Sequence, residues 1–258
     1  MEEEKSCTSL IRGFSKTALA FWAAAALLHM EGAEAKTPVS IEFVLAVDTS
    51  KSVDGFEFGL MMKGISHAFR TPEIINLIGH LNGVAVTLLQ WNSDIDESYM
   101  IPWHLLKGPA SVLLFADKVD HAECDPIRHF TGVGGAIKFG VRQIAENAFD
   151  GRQLKIDVAG DGRNNFGVSP SIRGQVANTL GIVVNGLPII TSSDYYSYDL
   201  KSYYREEVIH GPGAFIKVAN DYDDFSRAFL RKLQRELSPL LSQENSAPGA
   251  RVQKAQAR

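Results

Sequence analysis

Two aspartates and three hydroxyl side chains stand where apolar segments of the sequence give way to polar ones. Asp48, Ser50 and Ser52 alternate directly after one apolar run. Thr131 opens the glycine-rich stretch TGVGG, and Asp161 follows another apolar run. Oxygen ligands without histidine or thiolate suit hard cations such as Mg²⁺, Mn²⁺ or Ca²⁺. Two carboxylates would balance one divalent charge, and three neutral hydroxyls would leave the cation electrophilic.

The segments around these side chains alternate between strand-like and helical patterns. The strand-like segments are 41–47, 83–91, 98–103, 154–160, 182–190 and 214–219. The helical segments are 54–69, 71–79, 109–121, 131–147, 170–180, 199–209 and 222–237. This alternation predicts a Rossmann-like, doubly wound α/β domain with a mostly parallel sheet of about six strands. The short link between the second and third strand-like segments predicts one antiparallel pair.

This architecture places the oxygen-bearing side chains at one edge of the sheet. In open sheets of this kind, ligands bind beyond the carboxyl ends of the strands. Asp48 and Asp161 each come directly after a buried strand, so we expect them at that edge together. Gly132, Gly134 and Gly135 at the start of the helical segment 131–147 predict a close approach between this helix and the ligand loop.

The pattern D-x-S-x-S, followed by a later threonine and then by Asp-Gly after a strand, resembles the metal-ion-dependent adhesion site of von Willebrand factor type A domains. The resemblance covers residues 40–237. The stretches VLAVDTSKSVD, GDGRNNFG and NGLPI are more narrowly similar to a bacterial family of exported von Willebrand A-like proteins without an assigned function (DUF1194-type). The chain departs from better-known relatives in having Asn164 and Asn165 after the Asp-Gly pair.

The resemblance implies a role for each of the five side chains. Ser50 and Ser52 would coordinate the cation through their hydroxyls, and Thr131 would coordinate it directly in at least one state. Asp48 and Asp161 would act directly or through ordered waters and would hold the hydroxyls in place. An acidic side chain of a protein partner would complete the coordination shell. We therefore expect a binding module, not an enzyme.

Two alternatives stay open at this point. A haloacid-dehalogenase-like phosphatase also begins with a buried strand ending in aspartate and carries a later GDGxND motif, which GDGRNN approaches. In those enzymes a second carboxylate two residues after the first serves as general acid. This chain has Ser50 at that position, and Asn165 stands in place of the final aspartate. The other alternative is a scaffold in which a metal ion only stabilises the fold.

The N-terminus has the features of an export signal. Lys5, Arg12 and Lys16 precede the apolar run TALAFWAAAALLHM, and Ala33 and Ala35 form a small-x-small cleavage pattern. The apolar run is shorter than the roughly 20 residues that span a bilayer. We therefore expect cleavage after Ala35 and an exported protein, periplasmic or extracellular, without a stable membrane span.

Domain organisation and charge narrow the choice of partner. We predict a signal peptide over 1–35, a von Willebrand A-like domain over 36–238 and a disordered tail over 239–258. The formal net charge is −4, and a chain without overall basic character is a poor match for nucleic acid.

Segment 192–204 contains five tyrosines, which either contact a partner or pack on the domain itself. The acidic link 92–97 is expected on the same side as the candidate site.

Overall fold

Strands and helices alternate along most of the chain. The computed structural model describes residues 35–93, 95, 99–125, 129–191 and 197–246. The strands are β1 Thr37–Val39, β2 Ile41–Asp48, β3 Val84–Trp91, β4 Ile101–Leu106, β5 Phe149–Gly151, β6 Leu154–Gly160 and β7 Ile182–Pro188. The helices are α1 Gly55–Arg70, α2 Pro72–Gly79, α3 Pro109–Asp120, α4 Val133–Glu146, α5 Pro170–Thr179, α6 Ser197–Tyr203, a π-helical turn Tyr204–Val208, and α7 Phe225–Ser246.

Five strands form the central sheet in the order β4-β3-β2-β6-β7, and β1 pairs with β5 in a separate two-stranded sheet. β2 pairs in parallel with both β3 and β6, and β6 pairs in parallel with β7. β4 runs antiparallel to β3 and carries Pro102. The predicted α/β fold, with a mostly parallel sheet and one antiparallel pair, is confirmed.

Side chains of β2 alternate between two apolar cores, one on each face of the sheet. Phe43 and Leu45 belong to the core that α1, α2, α3 and α7 cover. Val44 and Ala46 belong to the core that α4 covers. All eight residues of β2 are buried. A parallel strand buried on both faces has a nearly continuous apolar sequence, which is why this strand could be recognised before the structure was known.

The predicted sixth strand, 214–219, is wrong. This segment lies beside β7 but forms only isolated bridges with it, through Ile216 and Ala219. The backbone of Gly186 in β7 both donates a hydrogen bond to this segment and accepts one from it. The backbone of Pro188 only accepts a hydrogen bond, from the N–H of Ala219. Because proline has no N–H to donate in return, the ladder is interrupted between the two bridges. The central sheet therefore has five strands where we expected six.

The last helix is longer than the sequence predicted. We expected it to end near 237, but α7 continues to Ser246 with Pro239 inside it. A proline in a helix interior costs about 3 kcal/mol, whereas burying a leucine side chain contributes roughly 1.5–3 kcal/mol. Leu237 and Leu240 are both buried, so packing on either side of Pro239 offsets its cost. The first eight residues of the predicted tail 239–258 are therefore helical.

Several predictions fall on residues that the structure does not describe. The signal segment 1–35 lies outside the described residues except for its last residue, and the tail does so from residue 247 onward. The carboxylates of the acidic link, Asp94 and Asp96, also lie outside them. Within the described part of the chain, no helix has both the length and the apolar character needed to cross a membrane.

Helix α7 brings a charged cluster into its interface with the sheet. Lys232 forms ion pairs with Asp157 of β6 and, at 3.3 Å, with Glu236 one turn later. Lys155 also pairs with Glu236, and Asn185 Nδ2 donates to Glu236 Oε1 at 2.6 Å. Lys232, Asp157 and Glu236 are all buried. Because buried charges are costly unless paired, these contacts fix the position of α7 across β6 and β7.

Candidate metal site

Asp48 and Asp161 lie close together at the carboxyl edge of the sheet. β2 ends at Asp48, β6 ends at Gly160 just before Asp161, and the two strands are parallel neighbours. Asp161 Oδ1 accepts a hydrogen bond of 2.7 Å from the hydroxyl of Ser52. This bond joins the loop after β2 to the loop after β6.

Short contacts connect the other predicted side chains to this pair. The backbone N–H of Ser50 donates to Asp48 Oδ1 at 2.7 Å, as in an Asx turn. The hydroxyl oxygens of Ser50 and Ser52 are 3.2 Å apart, and Thr131 Oγ1 donates to Ser50 Oγ at 3.4 Å. The structure thus brings all five predicted side chains into one connected cluster, while their role as metal ligands stays a prediction.

A capping box fixes the end of the first ligand loop. Asp54 Oδ1 accepts from the N–H groups of Phe56 and Glu57 at 2.7 and 2.8 Å. In return, Glu57 Oε2 accepts from the N–H of Asp54 at 2.8 Å. Asp54, the first residue of the predicted helical segment 54–69, is thus the N-cap of α1. Because α1 begins at Gly55, the cap restricts the short loop that presents Ser52.

Most of the cluster is closed to solvent. Asp48 and Ser50 are fully buried, Thr131 and Asp161 are buried to more than nine-tenths, and Ser52 is exposed. Asp48 Oδ2 is buried and makes no hydrogen bond. A buried acceptor left without a partner costs about 1–3 kcal/mol. A cation is a suitable partner, since an ionised carboxylate oxygen can only accept or coordinate.

The two carboxylates disfavour each other's ionisation. Burial, with the charge of Asp161 as the second cause, raises the pKa of Asp48 to about 8. A divalent cation between them would offset both the desolvation and the repulsion. Within the described part of the chain, no group of three or more His, Cys, Asp or Glu side chains is arranged to hold a metal ion. A site here therefore depends on the hydroxyls, and the five residues fit a hard cation.

Glycines allow the start of α4 to approach the ligand loops. A Cβ on Gly134 would lie 1.9 Å from the carbonyl oxygen of Val168, and one on Gly132 would lie 2.5 Å from that of Asn92. Both contacts are too short for any side chain. At Gly135, in contrast, a Cβ would meet no other atom within 4 Å. The predicted close approach is confirmed at Gly134, whose neighbour Val168 lies in the loop after β6. Gly132 instead approaches the loop after β3, and the prediction is wrong for Gly135.

Asn164 and Asn165 hold the Thr131 segment in place, a role that the sequence did not reveal. The N–H of Thr131 donates to Asn165 Oδ1 at 2.8 Å, and the N–H of Asn165 donates to the carbonyl of Thr131 at 2.9 Å. Asn164 Oδ1 accepts from the N–H of Gly134 at 3.0 Å, which satisfies a free donor at the start of α4. The available signal was the unusual Asn-Asn pair after Asp-Gly.

A cavity of about 610 Å³ opens beside the cluster. It is lined by Lys51, Ser52, His129, Phe130, Thr131 and Asn165. The N–H of Lys51 donates to the carbonyl of His129 at 3.0 Å, which ties two of the lining loops together. The volume lies within the range of ligand sites, about 300–1,000 Å³. A chemical group from outside the domain can therefore reach the exposed side of the cluster.

The two tyrosines of segment 192–204 with described side chains pack on the domain itself. Tyr203 and Tyr204 are buried in the core that α4 covers. The hydroxyl of Tyr203 accepts from the N–H of Asn164 at 3.0 Å, and that of Tyr204 donates to the carbonyl of Gly160 at 3.3 Å. Both support the loop after β6. The side chains of the other three tyrosines lie outside the described residues.

Tyr222 is a further side chain near the two carboxylates, and sequence reasoning missed it. Its ring is buried, and its hydroxyl makes no hydrogen bond of normal geometry. Burial, followed by the charges of Asp161 and Asp48, raises the pKa of Tyr222 far above its ordinary value. The hydroxyl thus lies in the electrostatic field of the two carboxylates, with Asp161 as the neighbour that can accept from it.

The sheet order, the helical layers and the oxygen cluster at the carboxyl edge define a von Willebrand factor type A-like domain. Residues 38–241 match the family described as "Protein of unknown function (DUF1194)". The chain belongs to this family, and the narrower resemblance predicted from the sequence is confirmed. No curated protein matches the chain.

Solved structures share the fold at low sequence identity. Proximal thread matrix protein 1 from the mussel byssus is 13% identical, with a TM-score of 0.52 over 79% of this chain and 47% of that one. The pilus adhesin SpaC from Lactobacillus rhamnosus GG, in its open conformation, is 13% identical, with a TM-score of 0.55 over 80% of this chain and 30% of that one. The PilB minor pilin from Streptococcus sanguinis is 13% identical, with a TM-score of 0.53 over 77% and 62%. This chain thus spans less than two thirds of each, and the likeness concerns the fold alone.

Proposed function

We propose that this chain is an exported binding module that holds a divalent cation and uses it to bind an acidic side chain of a protein partner. The proposed ligands are Asp48, Ser50, Ser52, Thr131 and Asp161. The observation that carries the proposal is their connection into one oxygen-rich cluster, with every link at 3.4 Å or less, beside an open cavity.

The buried and exposed members of the cluster would have different tasks. Asp48 Oδ2 is buried without a hydrogen bond and would supply negative charge at the closed side once a cation offsets its desolvation. Asp161 Oδ1 holds the Ser52 hydroxyl, which is the most exposed of the five side chains. Thr131 is held by its reciprocal hydrogen bonds with Asn165. When bound, the cation supplies positive charge and an open coordination position for an acidic group.

Binding is favoured over phosphoryl transfer by the side chain two residues after Asp48. A phosphatase of the haloacid-dehalogenase type needs a carboxylate there as general acid, and Ser50 cannot serve as one. Ser50 instead contacts Ser52 and Thr131 through its hydroxyl. The solved structures with this fold described above include a matrix protein, a pilus adhesin and a minor pilin. Those descriptions support a binding role for this chain.

The donor set supports Mg²⁺ as the cation, with Mn²⁺ and Ca²⁺ as the alternatives, because hard cations prefer oxygen ligands. The negative net charge of the chain supports a protein partner over nucleic acid. Export is supported by the basic, apolar and small-residue pattern of segment 1–35.

Calorimetric titration of the metal-free chain with Mg²⁺, Mn²⁺ and Ca²⁺ tests the proposal. We expect one site for wild type and none for Asp161→Ala. Asp150→Ala is the matched control. Asp150 lies in β5, before β6 in the chain, whereas Asp161 comes directly after β6. The two carboxylates are separated by the length of β6, about 23 Å for seven residues at 3.3 Å each. Absence of heat and of any thermal shift with all three metals would overturn the proposal.

Two further measurements separate the alternatives. Turnover of an aryl phosphate by the metal-loaded chain, lost in Asp48→Asn, would support a phosphatase instead. A partner that binds equally well in the presence of a chelator would support a scaffold with a purely structural metal.

A further inference from the structure

Each of the three chain segments that supply the proposed ligands also exposes a phenylalanine. Phe56, Phe130 and Phe166 are 73%, 60% and 45% exposed. Phe56 follows Ser52 by four positions, Phe130 directly precedes Thr131, and Phe166 follows Asp161 by five positions. Large exposed aromatic side chains mark interaction sites more often than isolated aliphatic ones do. Their placement ties them to the candidate metal site.

Phe130 and Phe166 form a stacked pair, of which Phe130 lines the cavity. Their ring centroids are 5.8 Å apart and their planes differ by 5°. Phe130 lines the cavity together with Thr131 and Asn165, which are joined by one hydrogen bond to the Asn165 side chain and one between their backbones. The pair therefore stands on the same braced segments that hold the cluster. This pair is the aromatic wall, and its Phe130 ring lines the same cavity as Ser52.

The cavity is larger than one carboxylate requires. Its volume of about 610 Å³ leaves room for a neighbouring side chain in addition to an acidic one. Lys51 and His129 also line it, and the ammonium group of Lys51 favours an anion. An occupant with an acidic group and an adjoining apolar group would match both the charge and the aromatic wall.

The apolar surface continues beyond the cavity along α5. After Phe166, the exposed apolar side chains Val168, Ile172, Val176 and Leu180 recur at every fourth position. Helix α5 has ten residues and is therefore about 15 Å long. Its opposite face, with Gly174 and Ala177, is buried in the domain. A surface of this length exceeds what a small molecule covers and points to a polypeptide.

We propose that the partner segment carries an acidic residue directly followed by an aromatic or large aliphatic residue, and that Phe130 and Phe166 contact this second side chain. The inference rests on the proposed function, because the acidic residue would bind at the cation. The aromatic wall adds selectivity among acidic segments.

Short blocked peptides test this selectivity. The first peptide is glycine–aspartate–phenylalanine–glycine, the second has serine in place of phenylalanine, and the third has asparagine in place of aspartate. Each is titrated into the isotope-labelled chain with saturating Mg²⁺ and followed by NMR. We expect the first to bind about tenfold more tightly than the second, as partial burial of one phenylalanine ring implies. The third should bind at least tenfold more weakly than the first.

Variants assign the preference to the aromatic wall. In Phe130→Ser with Phe166→Ser, the first two peptides should bind equally, while Mg²⁺ affinity by calorimetry stays within twofold of wild type. Leu114→Ser is the matched control, because Leu114 is an exposed apolar side chain of α3, which contributes no residue to the cavity. This control should keep the tenfold preference.

Four outcomes would overturn the inference. A chain that binds Mg²⁺ but does not distinguish the first two peptides, or binds neither, lacks the aromatic selectivity while the proposed metal site stands. If the first peptide binds equally well with EDTA present, its contact with the aromatic wall does not depend on the cation. Binding of phenylacetate as tight as that of the first peptide indicates a small-molecule site. Failure to bind any metal overturns the inference and the proposed function together.

Discussion

The hydroxyl of Ser52 donates a hydrogen bond of 2.7 Å to Asp161 Oδ1, although the two residues are 109 positions apart in the chain. The bond connects the loop after β2 with the loop after β6, and Ser52 is the most exposed member of the cluster. This one hydroxyl orients Asp161, and in the proposed function it would also offer an oxygen to the cation.

Ser52→Ala should weaken Mg²⁺ binding without unfolding the chain. The change removes a proposed ligand and the partner of Asp161, and loss of such an orienting contact typically costs 10–100-fold in metal affinity. The free energy of unfolding should fall by at most about 1.5 kcal/mol, the usual contribution of one hydrogen bond. Calorimetry and urea denaturation measure the two effects. Ser238→Ala, on an exposed position of α7, is the control and should change neither quantity.

Gly134→Ala should be strongly destabilising, whereas Gly135→Ala should not. A Cβ at Gly134 would lie 1.9 Å from the carbonyl oxygen of Val168, so the backbone of α4 or of the Val168 loop must move. At Gly135 nothing lies within 4 Å, and alanine favours a helix over glycine by about 1 kcal/mol. Urea denaturation should therefore show opposite signs for the two variants. Equal effects would contradict the close approach of α4.

Asn165→Ala should destabilise the chain by about 1–3 kcal/mol, because the buried N–H of Thr131 loses its acceptor. Metal affinity should fall as well, since Thr131 is no longer held in position. Asn76→Ala, at an exposed position of α2, removes the same side chain and should leave both quantities within error of wild type. Unchanged metal affinity in Asn165→Ala would show that metal binding does not depend on the hydrogen bond from Thr131 to the Asn165 side chain.

Tyr222→Phe should lower the metal affinity without lowering the stability of the metal-free chain. The buried hydroxyl makes no hydrogen bond of normal geometry, so its removal should leave the metal-free chain as stable as wild type or slightly more stable. Waters that accompany a bound cation would give the hydroxyl partners near Asp161, and we expect Mg²⁺ affinity to fall about threefold to tenfold. Thermal melts with and without Mg²⁺ measure both effects. A destabilised metal-free variant would show that the hydroxyl already has a partner.

Lys232→Met should cost about 3–5 kcal/mol, because it leaves Asp157 as a buried charge without its ion-pair partner. Replacing both members, in Asp157→Leu with Lys232→Met, should restore most of the loss, because an apolar pair carries no desolvation cost. Glu236 keeps Lys155 and Asn185 as partners in both variants. Additive losses in the double variant, measured by urea denaturation, would contradict this account.

Much of the fold could be predicted because its strongest signals are local. The apolar run before Asp48 identified β2, and Asp54 followed by Glu57 has the spacing of a helix cap. The prediction failed where distant contacts decide the outcome. Pro188 interrupts the bridges to segment 214–219, and the burial of Leu240 carries α7 past Pro239. Neither effect can be read from a window of neighbouring residues.

The candidate site, like the fold, could be predicted from the sequence only in part. Asp48 and Asp161 could be grouped because parallel neighbouring strands end at the same edge, and the resemblance to the adhesion-site pattern added Ser50, Ser52 and Thr131. The supporting contacts could not be derived, since the orientation of Asn165 toward Thr131 depends on how two loops fold back on each other. Tyr222 lies 61 positions beyond Asp161, and the available signal was its place three residues after the strand-like segment 214–219.

Pro188 also bears on how copies of the chain behave toward one another. Outer strands of a sheet can recruit strands from other molecules, because they present an unbroken row of backbone donors and acceptors. β7 carries Pro188 at its end and is bridged by segment 214–219, and the opposite outer strand, β4, carries Pro102 at an exposed position. Each outer strand of the central sheet thus contains a break in its donors, which protects the domain against edge-to-edge aggregation at high local concentration.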